Sequence, residues 1–224
     1  MAKKKKQADE ALSLDVQLSR SEAFIEKNLK SILCVLGVIV VVAIGIFLWR
    51  NYAQSREVKA QAAIAICQQA FAQGNYNLAL NGDSIAQRGF AGIMEDYKGT
   101  KTANLAKLYA AICQANLGQT EEAIKLFESF KGKGDQMVSP AAVGALANCY
   151  ADQGDSEKAA SLFLKAAKQA DNNAISPWCL LQAGILYESL GQNDKALDAY
   201  QQIKDKYFRS TLAGDIDKYI ERVK

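Results

Sequence analysis

The sequence predicts an all-α chain: one transmembrane helix near the N-terminus, then an α-solenoid of helical hairpins, then a C-terminal capping helix. Three observations predict it. Gly118, Gly154 and Gly191 each open the same pattern, completed five and nine residues later by Ala123 and Phe127, Ala159 and Phe163, and Ala196 and Tyr200. The glycines stand 36 and 37 residues apart, which is the period of a two-helix solenoid unit and too long for a heptad or a leucine-rich repeat. From Ser31 to Trp49 no residue is charged. After the last repeat, Leu212, Ile216, Tyr219, Ile220 and Val223 make an apolar stripe at helical spacing.

Residues 1–30 form a basic tail with Lys3, Lys4, Lys5, Lys6, Arg20, Lys27 and Lys30. Residues 31–49 follow, nineteen in number; at about 1.5 Å each they reach roughly 28 Å, against about 30 Å of hydrocarbon in a bilayer. A core helix of a globular domain would be amphipathic, and a cleavable signal would carry a shorter apolar run ending in small residues. This run ends instead in Trp49-Arg50-Asn51-Tyr52, whose rings suit a membrane interface, so it reads as an uncleaved anchor. Seven basic residues precede the span, while Arg50, Arg56 and Lys59 follow it. That bias places the N-terminus in the cytoplasm and the repeats across the membrane. In a bacterium the far side is the periplasm; in a eukaryotic type II protein it is a lumen, for which the helical part offers no Asn-x-Ser/Thr acceptor.

Residues 50–100 hold a linker helix and an irregular first repeat. Gly74 is followed in register by Ala79, but the next aromatic, Phe90, comes eleven residues after that alanine instead of four. The insertion 81–89 has Asn81, Gly82 and Asp83 at one end and Arg88 and Gly89 at the other, turn chemistry that predicts a loop or a broken helix. Residues 102–209 hold three full repeats. Ala111, Ala147 and Gly184, seven residues before the repeat glycines, let paired helices approach closely, while Phe127, Phe163 and Tyr200 fill the seams between units. Ser139-Pro140 and Ser176-Pro177 predict helix starts with Ser as N-cap and Pro as the first helical residue. Residues 210–224 form the cap, with one face on the solenoid and the other in water.

Composition narrows the chemistry by what is missing. The chain has no His, which removes His-based acid–base catalysis and His-ligated metals. From Arg50 onward 20 Lys plus Arg balance 19 Asp plus Glu, which argues against a nucleic-acid surface. The Lys3 to Lys6 run reads as a topology signal beside a membrane. Cys34 lies in the span; Cys113 and Cys149 share a register in successive units, on helices whose axes stand about 8 to 10 Å apart. A disulfide wants Cα atoms at about 4.4 to 6.8 Å, so register does not favour a bond, and Cys67 and Cys179 have no evident partner. The cysteines read as small buried side chains. Glu121, Glu122, Asp152, Asp155 and Glu157 beside the repeat glycines are the acids expected at helix N-termini. No nucleophile, phosphate loop or metal cluster stands out, and no cofactor or small-molecule substrate is expected. A binding module remains.

The repeat order of small residue, Tyr, Gly, Ala and aromatic resembles the tetratricopeptide repeat, with Tyr150 and Tyr187 in the Tyr position. The sequence departs from it where Gln114 replaces that aromatic and where Lys107, Val143 and Leu180 stand for the usual Trp. The resemblance implies that the first helix of each unit lines a concave face, which makes Leu105, Leu108, Ile112, Asn148, Trp178, Leu181 and Ile185 the candidate partner-binding residues. Of the Lys, Arg and Asn chemistry that clamps a C-terminal carboxylate in such domains, only Asn148 is there, so the groove is expected to be apolar and suited to a peptide segment or partner helix. Leu105 and Leu108 can equally be core.

The whole arrangement resembles the YfgM family of inner-membrane proteins. The insertion, with Tyr97-Lys98-Gly99-Thr100-Lys101 and Asn104-Leu105-Ala106 after it, looks like the version found in Bacteroidetes. The resemblance implies a bacterial inner-membrane protein with a periplasmic domain, associated with the Sec translocon and a membrane-anchored periplasmic chaperone of the PpiD type, assisting exported proteins. An alternative in the same fold is a scaffold for envelope assembly or cell-division coordination.

Overall fold

The structure is a computed structural model that describes residues 2–83 and 88–224, with the backbone alone for residues 2–26 and Ile32. The side chains of Lys3, Lys4, Lys5, Lys6 and Arg20 in the basic tail, and residues 84–87 of the insertion, lie outside the described residues. The secondary structure described is helical throughout: α1 (Ala2–Ala72), α2 (Tyr76–Asn81), α3 (Phe90–Asp96), α4 (Lys101–Asn116), α5 (Thr120–Ser129), α6 (Val138–Asp152), α7 (Ser156–Ala170), α8 (Ser176–Ser189), α9 (Asn193–Lys206) and α10 (Ile216–Val223). The chain divides into two compact units, Met1–Ser55 and Arg56–Lys224.

In the first unit, every side chain described from Leu33 to Trp49 is exposed, the large apolar ones by 52 to 69% of their surface. The most apolar window of α1 has a mean hydropathy of 3.1, with none of it buried. So much uncovered apolar surface is unfavourable in water and is what a helix surrounded by hydrocarbon presents. By length and composition α1 can cross a membrane.

The second unit is built on one repeated turn. Gly74, Gly118, Gly154 and Gly191 have φ of +77°, +76°, +84° and +70°, a left-handed conformation that favours glycine. At each, the glycine N–H donates to the carbonyl three residues back, and the next N–H donates to the carbonyl five residues back: Asn75 to Ala70, Gln119 to Gln114, Asp155 to Tyr150 and Gln192 to Tyr187. This double closure satisfies the last carbonyls of the preceding helix and reverses the chain. The short turns make successive helices antiparallel neighbours, and α4 to α9 pack in chain order.

Inside the hairpins Ala111, Ala123, Ala147, Ala159 and Ala196 are fully buried, and Phe127, Phe163 and Tyr200 are at most 5% exposed. Small residues at the crossing let the backbones close, and the rings then fill the seam to the next unit. Tyr150 and Tyr187 are buried beside them. Of the residues at the usual Trp position, Leu180 is buried, Val143 packs on the core and Lys107 reaches the carbonyl of Ser129.

The helix starts differ from the expectation in one respect. Neither Ser139 nor Ser176 is an N-cap: each is already inside its helix and buried, Ser176 completely. The N-cap residues are Met137 and Ile175, whose side chains make no cap bond, and the side chains that bond the N–H groups here stand four residues before each Ser. The carboxylate of Asp135 accepts from the N–H groups of Met137, Val138 and Ser139, and Oδ1 of Asn172 accepts from those of Ala174 and Ile175. Each Ser hydroxyl bonds back to the preceding segment, Ser139 to Asp135 and Ser176 to the carbonyl of Ala167. A buried hydroxyl needs a partner, and the preceding loop supplies it.

The irregular repeat pairs the end of α1 with α2 and α3, between which the chain breaks. Gly82, at φ +76°, ends α2, and an isolated antiparallel bridge joins it to Arg88. Gly89 sits so close to α2 that a Cβ there would collide with the backbone of Leu80 and Asn81. Phe90 and Ile93 then turn into the core and pack with Ile64, Leu80 and Cys113. At the other end, Ile216, Ile220 and Val223 of α10 are buried on the last hairpin. Its Arg222 forks onto the Glu188 carboxylate, which also accepts from the hydroxyl of Tyr200.

Candidate partner-binding face

The first helices of the regular repeats are α4, α6 and α8, and they carry the candidate residues unevenly. On α4, Leu108 is buried and Leu105 and Ile112 are half-buried against the core, so this helix contributes little free apolar surface. On α6, Asn148 is exposed. On α8, Trp178 is 40% and Ile185 37% exposed, with Leu181 half-buried between them. Seven residues apart, Trp178 and Ile185 share one helix face.

Trp178 is held in place although it is exposed. Its ring stands edge-on to Phe163, centroids 5.4 Å apart at 81°. Near both rings α6 has Gly144, where a Cβ would lie 3.6 Å from the indole and 4.0 Å from Phe163. Glycine on α6 thus leaves the indole room, and an edge-to-face ring pair keeps it from turning freely. A rigid aromatic with one wet face is the kind of side chain that anchors a partner.

The insertion residues lie elsewhere, in the irregular repeat. The described bonds of this segment run to α1, α2 and α3: the Cys67 thiol donates to the carbonyl of Arg88 at 3.3 Å, Arg88 pairs with Asp96 at 2.9 Å, and Asn81 donates to Asn77 at 2.7 Å. Asp83 is exposed. The structure therefore does not bring the insertion to the α8 residues.

Titratable groups near the repeats do structural work. Asp135 is held down to about 2, chiefly by the Ser139 hydroxyl and then by the backbone N–H groups it caps. Burial pushes the thiols of Cys113 and Cys179 up to about 11 and about 12. Among the described residues, no three His, Cys, Asp or Glu side chains gather as a metal site, and no disulfide forms. The reading from sequence missed Asp135 at the start of α6 and Asn172 in the turn before α8, although the signal was there: both stand four residues before a Ser-Pro pair, 37 residues apart.

A solenoid of small-residue hairpins closed by left-handed glycine turns, with a free face along its first helices, defines a helical-repeat scaffold of the kind that binds other proteins. The chain belongs to the tetratricopeptide repeat-like domain family, whose model matches residues 22–216. Its fold is also that of the crystallised nearly identical TPR-like repeats of a Podosopora anserina protein of kinesin-light-chain type: TM-score 0.53 at 13% identity, over 74% of this chain and 85% of that one. A Q17M form of the same repeats matches at TM-score 0.53 and 13% identity, over 74% of this chain and 84% of that one. Comparison with curated proteins gives no match.

Proposed function

We propose that this chain is a non-catalytic, membrane-anchored interaction module whose repeats hold an apolar segment of a partner protein. The carrying observation is the pair Trp178 and Ile185, 40% and 37% exposed on one face of α8 while the other apolar side chains of that helix are buried or half-buried. The apolar run 31–49 anchors the chain in a bacterial inner membrane, and the seven-to-three basic bias of its flanks puts the repeats in the periplasm. Anchoring confines chain and partner to one bilayer and raises their effective concentration, so a modest groove suffices. The likeness to the YfgM family supports partners at the Sec translocon and a PpiD-type chaperone, with exported proteins as clients. Asn148 and Leu181 extend the face around the two anchors, Leu105 and Ile112 offer it the part of their surface that the core leaves uncovered, Leu108 supports it from within the core, and Asn81, Gly82, Asp83, Arg88 and Gly89 of the insertion offer a second contact.

The test is co-purification of translocon and chaperone subunits with the full-length protein from mild detergent. Trp178→Ala is expected to lower their recovery several-fold with helicity by circular dichroism unchanged. Wild-type recovery from Trp178→Ala and from Ile185→Ala alike would move the binding surface off α8.

A further inference from the structure

A second surface lies at the edge of the repeats where the chain enters them. Antiparallel packing puts the end of α3, the start of α4, the end of α5 and the start of α6 at one edge. Arg56 is tied to the same edge: its guanidinium donates to the carbonyls of Asp96 at 2.7 Å and Lys98 at 3.3 Å. The neighbouring Glu57 carboxylate accepts from the N–H of Lys101 at 2.7 Å and from the N–H and hydroxyl of Thr102 at 3.1 and 2.8 Å. These bonds lock the α3–α4 turn onto the start of the second unit.

Beside that lock is a depression of about 440 Å³ whose lining includes Lys98, Lys101, Lys107, Lys131 and Lys133 and no Asp or Glu. Four of the five lysines are exposed and Lys107 is half-buried. Among the described residues none of them is ion-paired, whereas eight other basic residues of the second unit are. Of the carboxylates at this edge, Glu57 is engaged at the start of α4, Asp96 with Arg88 and Asp135 at the start of α6, while Glu95, three residues before Lys98, is exposed. The two halves of the cluster are also fixed to each other. Asn104 on α4 donates to the carbonyl of Lys131 and accepts from its N–H, both at 3.0 Å, which pins the α5–α6 loop beside α4. Five ammonium groups without a carboxylate partner raise the local positive potential, and such a patch attracts an anionic surface.

What faces them is set by the chain. Arg56 follows Trp49 by seven residues, and seven residues reach at most about 25 Å, so Arg56, and with it the turn at Lys98 that it binds, is tethered within that reach of the end of the apolar run. We infer that Lys98, Lys101, Lys107, Lys131 and Lys133 form a docking surface for the anionic phospholipid headgroups of the bilayer that holds residues 31–49. This rests on the proposed membrane anchor. A basic cluster near an anionic surface gains attraction with each added Lys, and the tether keeps it within range. The contact holds the starts of α4 and α6 at the membrane and leaves the face of α8 to a protein.

The test uses the full-length protein in nanodiscs of phosphatidylcholine alone or of phosphatidylcholine and phosphatidylglycerol in equal parts, with lysine modification read by mass spectrometry. Lys158 and Lys195, near the starts of α7 and α9 at the opposite edge, serve as internal controls. Labelling of the five lysines is expected to fall about threefold or more in the anionic discs and to recover in molar salt, where charges are screened beyond about 3 Å. The controls should not change. In a K98Q/K101Q/K131Q/K133Q variant of unchanged helicity, Lys107 should lose its lipid-dependent protection. Equal labelling in both discs by a chain that resists alkaline extraction would overturn the inference and leave the anchor standing; a chain released by alkaline extraction would overturn the anchor itself. Protection by a soluble polyglutamate peptide in phosphatidylcholine discs, with none from phosphatidylglycerol, would assign the cluster to an acidic protein partner and overturn the lipid assignment.

Discussion

Gly184 on α8 lies flat against the ring of Tyr200 on α9: a Cβ at 184 would stand 2.7 Å from Cζ and closer still to Cε1. Tyr200 is completely buried, so its ring has nowhere to withdraw. The crossing of the last hairpin is thus set by the absence of a single methyl group.

Gly184→Ala is expected to destabilise the repeats by about 1 to 3 kcal/mol through overpacking. Gly144→Ala makes the opposite case, because there the new methyl group meets Cys179 and Trp178 at an ordinary 3.6 Å. It should stabilise by up to about 1 kcal/mol, since alanine is the better helix former. Thermal melts of the two variants in the same detergent should move in opposite directions. Equal losses would show that α6 and α8 pack more tightly than described.

The start of α6 should be sensitive to acid. Asp135 titrates near 2 in the folded chain, below its ordinary 3.8, because the Ser139 hydroxyl and three backbone N–H groups favour its charged form. A lowered folded value means that the stabilisation is complete above about pH 4 and is lost as pH falls through about 2. The protection of α6 amides, corrected for the pH dependence of intrinsic exchange, should be unchanged from neutral pH to about 5 and then fall relative to α8 below about 4, because the turn before α8 is closed by Asn172, which does not titrate. Asp135→Asn should remove that difference.

Four of the five cysteines should be silent in the folded protein. Cys67, Cys113, Cys149 and Cys179 are all buried, and burial raises their thiols. Because the thiolate is the reactive form, a maleimide at neutral pH should leave all four unmodified until denaturant is added. Rapid native labelling of Cys113 or Cys179 would mean that the hairpins open locally.

The orientation of the chain is testable directly. The seven-to-three basic bias predicts that alkaline phosphatase fused after Lys224 is active and that the same reporter fused at Met1 is not. The reverse result would place the repeats in the cytoplasm.

The repeat turns were legible in the sequence because glycine is the residue that tolerates their backbone, so Gly118, Gly154 and Gly191 announce the hairpins without reference to any contact. The crossings were legible for the same kind of reason, through Ala111, Ala147 and Gly184. The helix starts lie one or two residues before the expected ones, at Ile175 and Met137 in place of Ser176 and Ser139. Ser-Pro is a strong local signal, but the choice between Ser139 and Asp135 depends on which side chain is buried, and burial follows from how α6 meets α5. The face of α8 was half legible: spacing put Trp178 and Ile185 on one side of a helix, yet only packing separates them from Leu105 and Ile112, which stand at the same offsets before their repeat glycine and are half-buried. The lysine cluster was not legible at all. Its members lie at 98 to 107 and 131 to 133, and the bond that joins them runs from an unremarkable Asn104 to a backbone group 27 residues away.

The left-handed glycine turns have one more consequence. Because Gly118 and Gly154 close the same bonds at the same φ, each is a point where the chain can be cut and rejoined to its equivalent. Excising residues 119–154 would seat Asp155 directly after Gly118, with α4 meeting α7 across a turn whose every bond is still available and with Ala111 facing Ala159 in place of Ala123. The number of hairpins is therefore a free parameter of this architecture. The chain can lengthen or shorten its binding face by whole units without redesigning a seam, while its two specialised ends, the broken repeat and α10, stay as they are.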